Sequence, residues 1–548
     1  EEWLLNAEKY SSLAWLGGLP YPGSQLTEAW KKEAFNEFHD VAAGTAIAAA
    51  YIDAQKDFDA IHWTANEATG NALKELNSHV NTAAHPGVPI IVWNTLSWNR
   101  TGVVSATVQM PHAEPNGITV LDANNQPVLM QVLSEDKATN TYHLLLKPKS
   151  VPSVGYTVFH VVPGQQKVAS DLSLHGFVME NSLLRVTLDP KTGCITSLYQ
   201  KAARFESIVP GECGNMLQAF VDNARSMTQA AIDNVRVEDA WNIDKDYEKQ
   251  GTNLTMIDSI QTIEHGPLRE IIRVTRSWSK SKFVQDITLY AETPRVDVAN
   301  DVDWHETHVL LKASFPLTAT SPVATYEMPY GTIERPTTRN NSVESARFEV
   351  PALRWADMGD NEHGFSLIND SKYGYDAKGN VLRLSLLRAP LYPDPTSDRG
   401  RQQFSYSLYP HAGNWKQTDT VLQAYEFNYK LQASQVESHQ GNLPATHSLV
   451  QLSPNNLVLT AMKKSEDGNS LILRFYEWAG TKTNAQITVP AGASEVVETD
   501  LMEHDLKNPV AKVAIHGNQF SLTVDPFSIN TVRVSYPGQG DSFWQAQK

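Results

Sequence analysis

The fold of this chain is indicated most clearly by the stretch LLRVTLDPKTGCITSLY, residues 183–199. Two runs rich in β-branched and large apolar residues, 183–188 and 194–199, flank a short polar segment. Pro190 and Gly193 lie in that segment, and both favour turns, because proline fixes φ and glycine tolerates positive φ. We therefore predict an antiparallel β-hairpin.

Similar runs recur from residue 86 to the end of the chain, whereas no comparable helix pattern is found there. Alternating or continuous apolar runs bounded by Gly, Pro, Asn and Asp are typical of strands. The further predicted strands are 89–93, 103–110, 142–146, 156–162, 284–290, 381–387, 404–408, 471–478, 485–489 and, within 520–534, the last β segment. The polar run 430–444 interrupts them and predicts a domain boundary.

Residues 1–82 have a helical pattern instead. We predict helices over 1–16, about 27–39 and about 45–80, the last with a possible break near Gly70. The third is predicted from apolar residues at helical spacing, with Thr45 as an N-cap. These apolar residues are Ile47, Ala50, Tyr51, Ala54, Phe58 and Ile61.

The order of elements predicts an α+β multidomain chain, in which a three-helix bundle precedes mainly antiparallel β-sandwich domains. The predicted divisions are 1–82, 86–165, 170–430 and 445–540. Because the link 83–87 is short, we expect the bundle to pack on the β region through either the Trp30/Phe35 face or the Ile47/Tyr51/Phe58 face.

Composition excludes several classes of protein. The 548 residues carry a formal charge of -16, which argues against a nucleic-acid partner, because phosphate binding needs a basic surface. No run approaches the ~18 apolar residues of a membrane span. Two cysteines, Cys194 and Cys213, are too few for a thiolate metal cluster, and whether they pair is left open. The start at Glu1, inside a predicted helix, suggests a piece of a longer protein.

One short motif could serve a metal. His39-Asp40 lies where a predicted helix ends and Gly44 lets the chain turn. A neutral imidazole is a common zinc ligand, and an adjacent carboxylate can orient it or bind a substrate hydroxyl. A histidine that caps a helix or bonds two helices explains the same residues, since a zinc site needs further ligands that the spacing does not supply.

Four longer blocks carry a family resemblance. They are Phe35–Asp40 (FNEFHD), Tyr326–Pro336 (YEMPYGTIERP), Leu367–Tyr375 (LINDSKYGY) and Leu384–Pro390 (LSLLRAP). Together they resemble the class II α-mannosidases of glycoside hydrolase family 38, in the bacterial and cytosolic-type branch. The resemblance implies an N-terminal catalytic barrel with zinc and the catalytic carboxylates, then a three-helix bundle, then β-sandwiches that include a galactose-mutarotase-like supersandwich. This chain resembles only the last two parts.

The resemblance also implies roles for individual residues. His39 matches a zinc ligand and Asp40 a residue that contacts the sugar, although Glu37 and Ala42-Ala43 depart from many relatives. Trp241 and Asp244 resemble a loop near the active site, with core packing as the alternative for Trp241. Further substrate contacts are predicted at Arg388 and Asp398, for which an internal salt bridge is the alternative.

No residue of this chain stands out as the nucleophile or the acid/base of a retaining glycosidase. Acid pairs such as Asp301/Asp303 and Asp357/Asp360 are more typical of turns, and Trp304 between Asp303 and His305 is more typical of a sandwich core. We therefore expect the catalytic carboxylates and the remaining zinc ligands outside this chain.

The leading hypothesis is the bundle and β-sandwich portion of a zinc-dependent retaining α-mannosidase that hydrolyses terminal α-mannosides of glycans. Its expected partners are a mannose-containing oligosaccharide and a catalytic barrel, and the chain alone is expected to be inactive. The alternative is a non-catalytic carbohydrate-binding or assembly module of the same fold; a free-standing glycosidase is a third reading. A homo-oligomer is left open, and a soluble bacterial protein of the cytoplasm or periplasm is expected.

Overall fold

The computed structural model describes residues 1–222, 239–244, 246–466, 468–506 and 512–547. The helices in those ranges are α1 (Glu2–Leu16), α2 (Gly23–Asn36), α3 (His39–Ala42), α4 (Ala48–Ser78), α5 (Ser342–Ala346), α6 (Thr420–Asn428) and α7 (Asp541–Ala546), with a 3₁₀ turn at Tyr247–Gln250.

The strands of the first half of the chain are β1 (Val88–Asn94), β2 (Val104–Gln109), β3 (Ile118–Leu121), β4 (Met130–Asp136), β5 (Thr141–Leu146), β6 (Gly155–Pro163), β7 (Ser173–His175), β8 (Val178–Glu180), β9 (Leu184–Leu188), β10 (Ile195–Gln200), β11 (Phe205–Glu206), β12 (Met216–Val221), β13 (Gly251–Asn253), β14 (Ser259–His265), β15 (Arg269–Trp278) and β16 (Ser281–Tyr290).

Those of the second half are β17 (Val296–Trp304), β18 (Val309–Pro316), β19 (Val323–Met328), β20 (Gly331–Pro336), β21 (Val350–Pro351), β22 (Trp355–Gly359), β23 (His363–Asn369), β24 (Gly374–Lys378), β25 (Val381–Leu387), β26 (Gly400–Ala412), β27 (Gln432–Gln435), β28 (Thr446–Ser448), β29 (Gln451–Ser453), β30 (Leu457–Lys464), β31 (Ser470–Glu477), β32 (Thr483–Thr488), β33 (Glu495–Thr499), β34 (Lys512–Val513), β35 (Ile515–His516), β36 (Gln519–Val524) and β37 (Ile529–Ser535).

The chain divides into two compact units. The first unit comprises 1–35, 55–169 and 429–548, and the second comprises 36–54 and 170–428. The predicted fold class is confirmed: helices lead the chain, and the strands that follow pair antiparallel in every sheet. The described residues contain no helix long and apolar enough to cross a membrane.

In the first unit, two sandwiches and the helices share buried cores. Strands β27-β1-β6-β28, with β3 beside β6, face the sheet β2-β5-β4, and the sheets β29-β32-β36-β35 and β30-β31-β37-β33-β34 form the second sandwich. Helix α1 joins the second core through Tyr10, Leu13 and Leu16, and α4 joins it through Ala72 and Leu76. The bundle therefore packs on β structure through α1 and the second half of α4. Of the predicted faces, Phe35 and Ile47 are exposed, whereas Tyr51 belongs to the compact unit that contains 170–428.

In the second unit, three sheets share one core: β11-β10-β9-β8-β7, β13-β12-β18-β25-β24-β21 and the nine-stranded β14-β15-β16-β17-β26-β23-β22-β19-β20. The predicted hairpin is confirmed as β9–β10, with Leu188 opposite Ile195. At the turn, Gly193 has φ +69°, and a Cβ there would lie 2.4 Å from a methyl group of Val274, so glycine is required on both counts.

Several local predictions need correction. Helix α4 begins at Ala48, not at residue 45, and it is continuous through Gly70, which faces open space. Thr45 lies before α4 and bonds to Asp40, so it does not cap the helix as predicted. Helix α2 ends at Asn36, and the His-Asp pair starts a separate short helix, α3.

Two open questions are settled within the second unit. Cys194 and Cys213 form a disulfide with Cα atoms 5.6 Å apart. Trp304 is fully buried in the sheet core, as predicted, and Asp301 forms a bidentate ion pair with Arg401 (2.9 and 2.6 Å). Asp301 and Asp303 lie in β17 and Asp357 lies in β22, so the prediction that these acids lie in turns is wrong for all three. Asp357 is buried, and its Oδ2 is 2.8 Å from both Ser366 Oγ and His411 Nε2.

Candidate functional site

All six predicted site residues lie in the second unit, on three chain segments: 38–51, 239–244 and 388–398. The first segment is a tight reversal. Phe38 is extended (φ -52°, ψ 138°) and α3 makes little more than one turn, after which Gly44 adopts φ +76°. The N–H of Thr45 then donates to the carbonyl of Asp40 at 2.8 Å and closes the reversal.

Asp40 is held from two sides. Thr45 Oγ1 donates to Asp40 Oδ1 at 2.9 Å, and the Tyr51 hydroxyl donates to the Asp40 carbonyl at 3.3 Å. Tyr51 Oη in turn accepts the N–H of Ala46 at 3.0 Å. One carboxylate oxygen of Asp40 is thereby fixed, and the other, Oδ2, lies 3.4 Å from His39 Nε2.

His39 extends into solvent. Its side chain is 76% exposed and lies against the ring of Phe38, itself exposed, at a centroid distance of 4.2 Å. An imidazole at the surface of a closed reversal is accessible to a ligand while its backbone stays fixed. Among the described residues, no group of three or more His, Cys, Asp or Glu side chains is arranged to hold a metal ion. His39 and Asp40 are thus at most a partial ligand set.

The pKa of the Tyr51 hydroxyl is raised, first by burial and then by the negative charges of Asp394, Asp398 and Asp40. The segment 38–51 therefore shares an electrostatic environment with the loop 394–398. The loop is itself ordered, because Asp394 Oδ1 accepts both the N–H and the hydroxyl of Thr396, at 2.8 and 2.7 Å.

Arg388 joins the second and third segments. Its Nε donates to Asp222 Oδ2 at 2.5 Å, its Nη1 donates to the Ala240 carbonyl at 2.9 Å, and its Nη2 donates to the Asn242 carbonyl. Asp222 is 3% exposed and its other oxygen accepts the N–H of Asp244 at 2.8 Å. The internal salt bridge, the alternative interpretation of Arg388, is therefore present, and its guanidinium holds the 239–244 loop.

Asp239 provides a second link between the same segments. This buried carboxylate accepts the N–H groups of Leu391 and Tyr392 at 2.7 and 2.8 Å, and His308 Nε2 donates to it at 2.8 Å. Charge-assisted bonds of this kind are stronger than neutral ones. The segments 239–244 and 388–398 are thus connected by one positively charged side chain, Arg388, and one negatively charged side chain, Asp239.

The remaining predicted residues, Trp241, Asp244 and Asp398, differ in exposure and in the hydrogen bonds that they already make. Trp241 is 48% exposed, with its ring 6.2 Å from that of Tyr392, so it does not pack in the core. Asp244 is half-buried, and its Oδ1 accepts the N–H of Asp246 at 3.0 Å. Asp398 Oδ2 accepts the N–H groups of Arg388 and Ala389, at 2.9 and 3.0 Å, and so closes its own loop.

Sequence reasoning missed Asp222, Asp239, His308 and the bonding role of Tyr51. The first three act on groups of distant segments, and most of those groups are backbone atoms, which a side-chain pattern does not indicate. Tyr51 was assigned only to the apolar stripe of a helix. Its position 11 residues after Asp40 gave no signal that its hydroxyl would bond to that residue.

Comparison with known proteins places these features in a class of glycoside hydrolases. Residues 1–76 match the alpha mannosidase middle domain, residues 179–396 match the glycosyl hydrolases family 38 C-terminal domain, and residues 456–532 match the family 38 C-terminal beta sandwich domain. The chain belongs to glycoside hydrolase family 38.

Individual proteins similar to this chain are also alpha-mannosidases. The chain is 31% identical to Alpha-mannosidase 2C1 of Mus musculus over 97% of its length, and 26% identical to Alpha-mannosidase G of Dictyostelium discoideum over 94%. It covers 48% of each of those two proteins, so it spans about half their length. A crystal structure of an alpha-mannosidase from Enterococcus faecalis V583 has the same fold, with TM-score 0.82, 16% identity and coverage of 97% of this chain and 66% of that one.

Proposed function

We propose that this chain is the bundle and β-sandwich portion of a zinc-dependent retaining α-mannosidase that hydrolyses terminal α-mannosides of glycans. In this proposal His39 supplies one zinc ligand, and Asp40 and Trp241 contact the sugar. The nucleophile, the acid/base and the other zinc ligands come from a catalytic barrel outside these residues. The relatives, which bear the name alpha-mannosidase, support the substrate class.

The observation that carries the proposal is the contrast within the His39-Asp40 pair. His39 is 76% exposed, whereas Asp40 is anchored by Thr45 and Tyr51. The donor set fits one corner of a zinc site, because a neutral imidazole is a preferred ligand and a neighbouring carboxylate can orient it. Since His39 is the one ligand proposed in this chain and the described residues contain no group of three or more candidate ligands, the proposal takes the other ligands from another part of the protein.

Zinc, when bound, would act as a Lewis acid that grips ring hydroxyls of the sugar. The task of this chain's own residues is then positioning. Asp40 Oδ1 is occupied by Thr45, so its Oδ2 is the oxygen left to accept a sugar hydroxyl. The half-exposed indole of Trp241 offers a flat apolar face for a sugar ring.

Arg388 and Asp398 serve the proposed site differently. Since their polar atoms bind the Trp241 loop and their own loop, they set where Trp241 and Asp244 lie. Arg388 and Asp398 are therefore positioning residues in this proposal. Orientation of this kind matters because a small displacement of a substrate-positioning group lowers the rate of the chemical step.

The test compares two proteins: the 548-residue chain, and the product of the same gene with everything encoded upstream of Glu1. Each is assayed with an activated aryl α-mannoside after zinc removal and after zinc addition. We expect no turnover from the 548-residue chain and zinc-dependent turnover from the longer protein. Turnover of about 1 per second or more by the 548-residue chain, within the ordinary range for enzymes, would contradict the proposal. An upstream sequence without a catalytic domain would favour the non-catalytic module.

A further inference from the structure

The first unit contains a cavity of about 630 Å³ in its helical part. It lies among α1, the α1–α2 connection, the start of α2 and the second half of α4. None of the six predicted site residues lines it. Its volume falls within the range of small-molecule sites, about 300–1,000 Å³.

One wall of the cavity is a polar face of α4. The lining residues Thr64, Glu67, Asn71, Lys74 and Ser78 recur at intervals of three and four, so they share one face of the helix. A bundle helix usually buries an apolar stripe against its neighbours. Glu67, Asn71, Lys74 and Ser78 are exposed, so they lie outside the buried stripe of α4 and form a wall that a ligand can reach from solvent.

The opposite wall is apolar and rigid. Leu19, Pro20, Tyr21 and Pro22 form it, and the prolines fix their φ angles, so little ordering is needed when a ligand binds. The Tyr21 ring is neutral near pH 7, as an unperturbed tyrosine is, and burial raises the pKa of its hydroxyl further. A flat neutral ring opposite a polar helix face is an arrangement that suits a sugar, which has apolar C–H faces and polar edges.

Several hydrogen-bonding groups of the cavity have no partner within the described residues. Ser11 Oγ is buried, lines the cavity and makes no hydrogen bond, although buried polar groups are nearly always paired. The side chains of Glu67, Asn71 and Lys74 are exposed, so water satisfies them, and they have no hydrogen-bond or ion-pair partner among the described residues. These groups are available to a ligand.

Their chemistry selects the ligand class. Glu67 only accepts hydrogen bonds, Lys74 only donates them, and Asn71 does both, which matches hydroxyl groups that do both. Glu75 also lines the cavity, so two carboxylates face one ammonium group, and this negative balance disfavours a polyanion. Seven residues of helix separate Glu67 from Lys74, a span of about 10 Å, which is longer than a small zwitterion and comparable with a disaccharide.

We propose that this cavity, the bundle cavity, binds a neutral oligosaccharide of about two sugar residues. It would be a glycan site additional to the one that includes His39, and in naming a glycan it rests on the proposed function. Asn71 and Lys74 bind hydroxyls, Tyr21 covers a sugar face, and Ser11 bonds to the buried edge.

The test is calorimetric titration of the 548-residue chain with an α-linked mannobiose. Asn71→Leu removes the central amide, and Asn66→Leu is the matched control, since Asn66 is an exposed amide on the same helix that does not line the cavity. Glu67→Gln is a second variant that keeps size and shape. We expect Asn71→Leu to raise the Kd at least tenfold, Glu67→Gln to raise it by a smaller factor, and Asn66→Leu to leave it unchanged. Thermal unfolding of each variant checks the fold.

His39→Ala separates this proposal from the proposed function. Binding that survives His39→Ala and is lost in Asn71→Leu supports the bundle cavity. Binding that is lost in His39→Ala and unchanged in Asn71→Leu places the sugar at the His39 site, which overturns the cavity proposal and supports the proposed function. Absence of mannobiose binding in every protein overturns the cavity proposal and leaves the zinc-dependent activity of the longer protein to its own assay.

Discussion

His39 and Arg388 both lie in blocks that resemble family 38, yet the structure holds them in opposite ways. The His39 side chain is 76% exposed, and its nearest polar contact is the adjacent Asp40 at 3.4 Å. The Arg388 side chain is 16% exposed and donates to one carboxylate and two backbone carbonyls. A family block therefore does not distinguish a residue that binds from a residue that positions. The exposure of the side chain and the number of its satisfied hydrogen-bonding groups distinguish the two kinds of residue.

The largest difference between these two residues should appear in stability. Arg388→Ala leaves the buried Asp222 carboxylate without its cation, and breaking a buried pair in this way costs about 3–5 kcal/mol. His39→Ala removes an exposed side chain and should change the free energy of unfolding by less than about 0.5 kcal/mol. Urea unfolding of both variants measures the contrast. Equal losses in the two variants would show that Arg388 does not hold the loop.

Asp239→Asn should have the next largest effect. The buried carboxylate accepts three hydrogen bonds, from Leu391, Tyr392 and His308, and bonds to a charged group contribute about 1.5–3 kcal/mol each. We expect Asp239→Asn to lower the free energy of unfolding by about 2–3 kcal/mol, because the amide keeps only one acceptor oxygen. Urea unfolding measures this change.

Asp360→Asn is the matched control for Asp239→Asn. Asp360 also accepts two backbone N–H groups, from Glu362 and His363, but it is exposed, so water can replace them. Asp360→Asn should lower the free energy of unfolding by less than about 1 kcal/mol. An Asp239→Asn protein as stable as Asp360→Asn would mean that the 239–244 and 389–392 segments are not joined by this carboxylate.

The fold was more predictable from sequence than the site, for physical reasons. The hairpin 183–199 depends on local turn chemistry, and the sheet strands depend on apolar runs, so both leave signals in adjacent residues. Arg388 bonds to Asp222, Ala240 and Asn242, which lie 146 to 166 residues away, and two of those acceptors are carbonyls that every residue has. Ile47 fitted a helical stripe but is exposed, because α4 begins only at Ala48.

The smallest predicted effect concerns the anchor of Asp40. Tyr51→Phe removes a donor to the Asp40 carbonyl and an acceptor for Ala46, and should cost about 0.5–1.5 kcal/mol near pH 7. The folded state raises the pKa of Tyr51, so this group's contribution is complete below the unfolded value of about 10 and falls as pH rises above it.

The stability difference between wild type and Tyr51→Phe should therefore narrow above about pH 10. Urea unfolding at pH 7, 9 and 10.5 measures this. A difference that is constant across that range would mean that Tyr51 ionises equally easily in the folded and unfolded chains, so that neither burial nor the carboxylates of Asp394 and Asp398 raise its pKa.

The central claim is that His39 binds zinc while Asp40 does not. It is tested most directly by the zinc content of the longer protein, measured by mass spectrometry of the metal after gel filtration. His39→Ala should lose most of its zinc, because removal of one of about four ligands opens the coordination sphere, whereas Asp40→Asn should retain it. His305→Ala is the control, since His305 is another exposed histidine beside an aspartate, 2.8 Å from Asp303. Zinc contents of wild type, His39→Ala and His305→Ala that are equal would contradict the account.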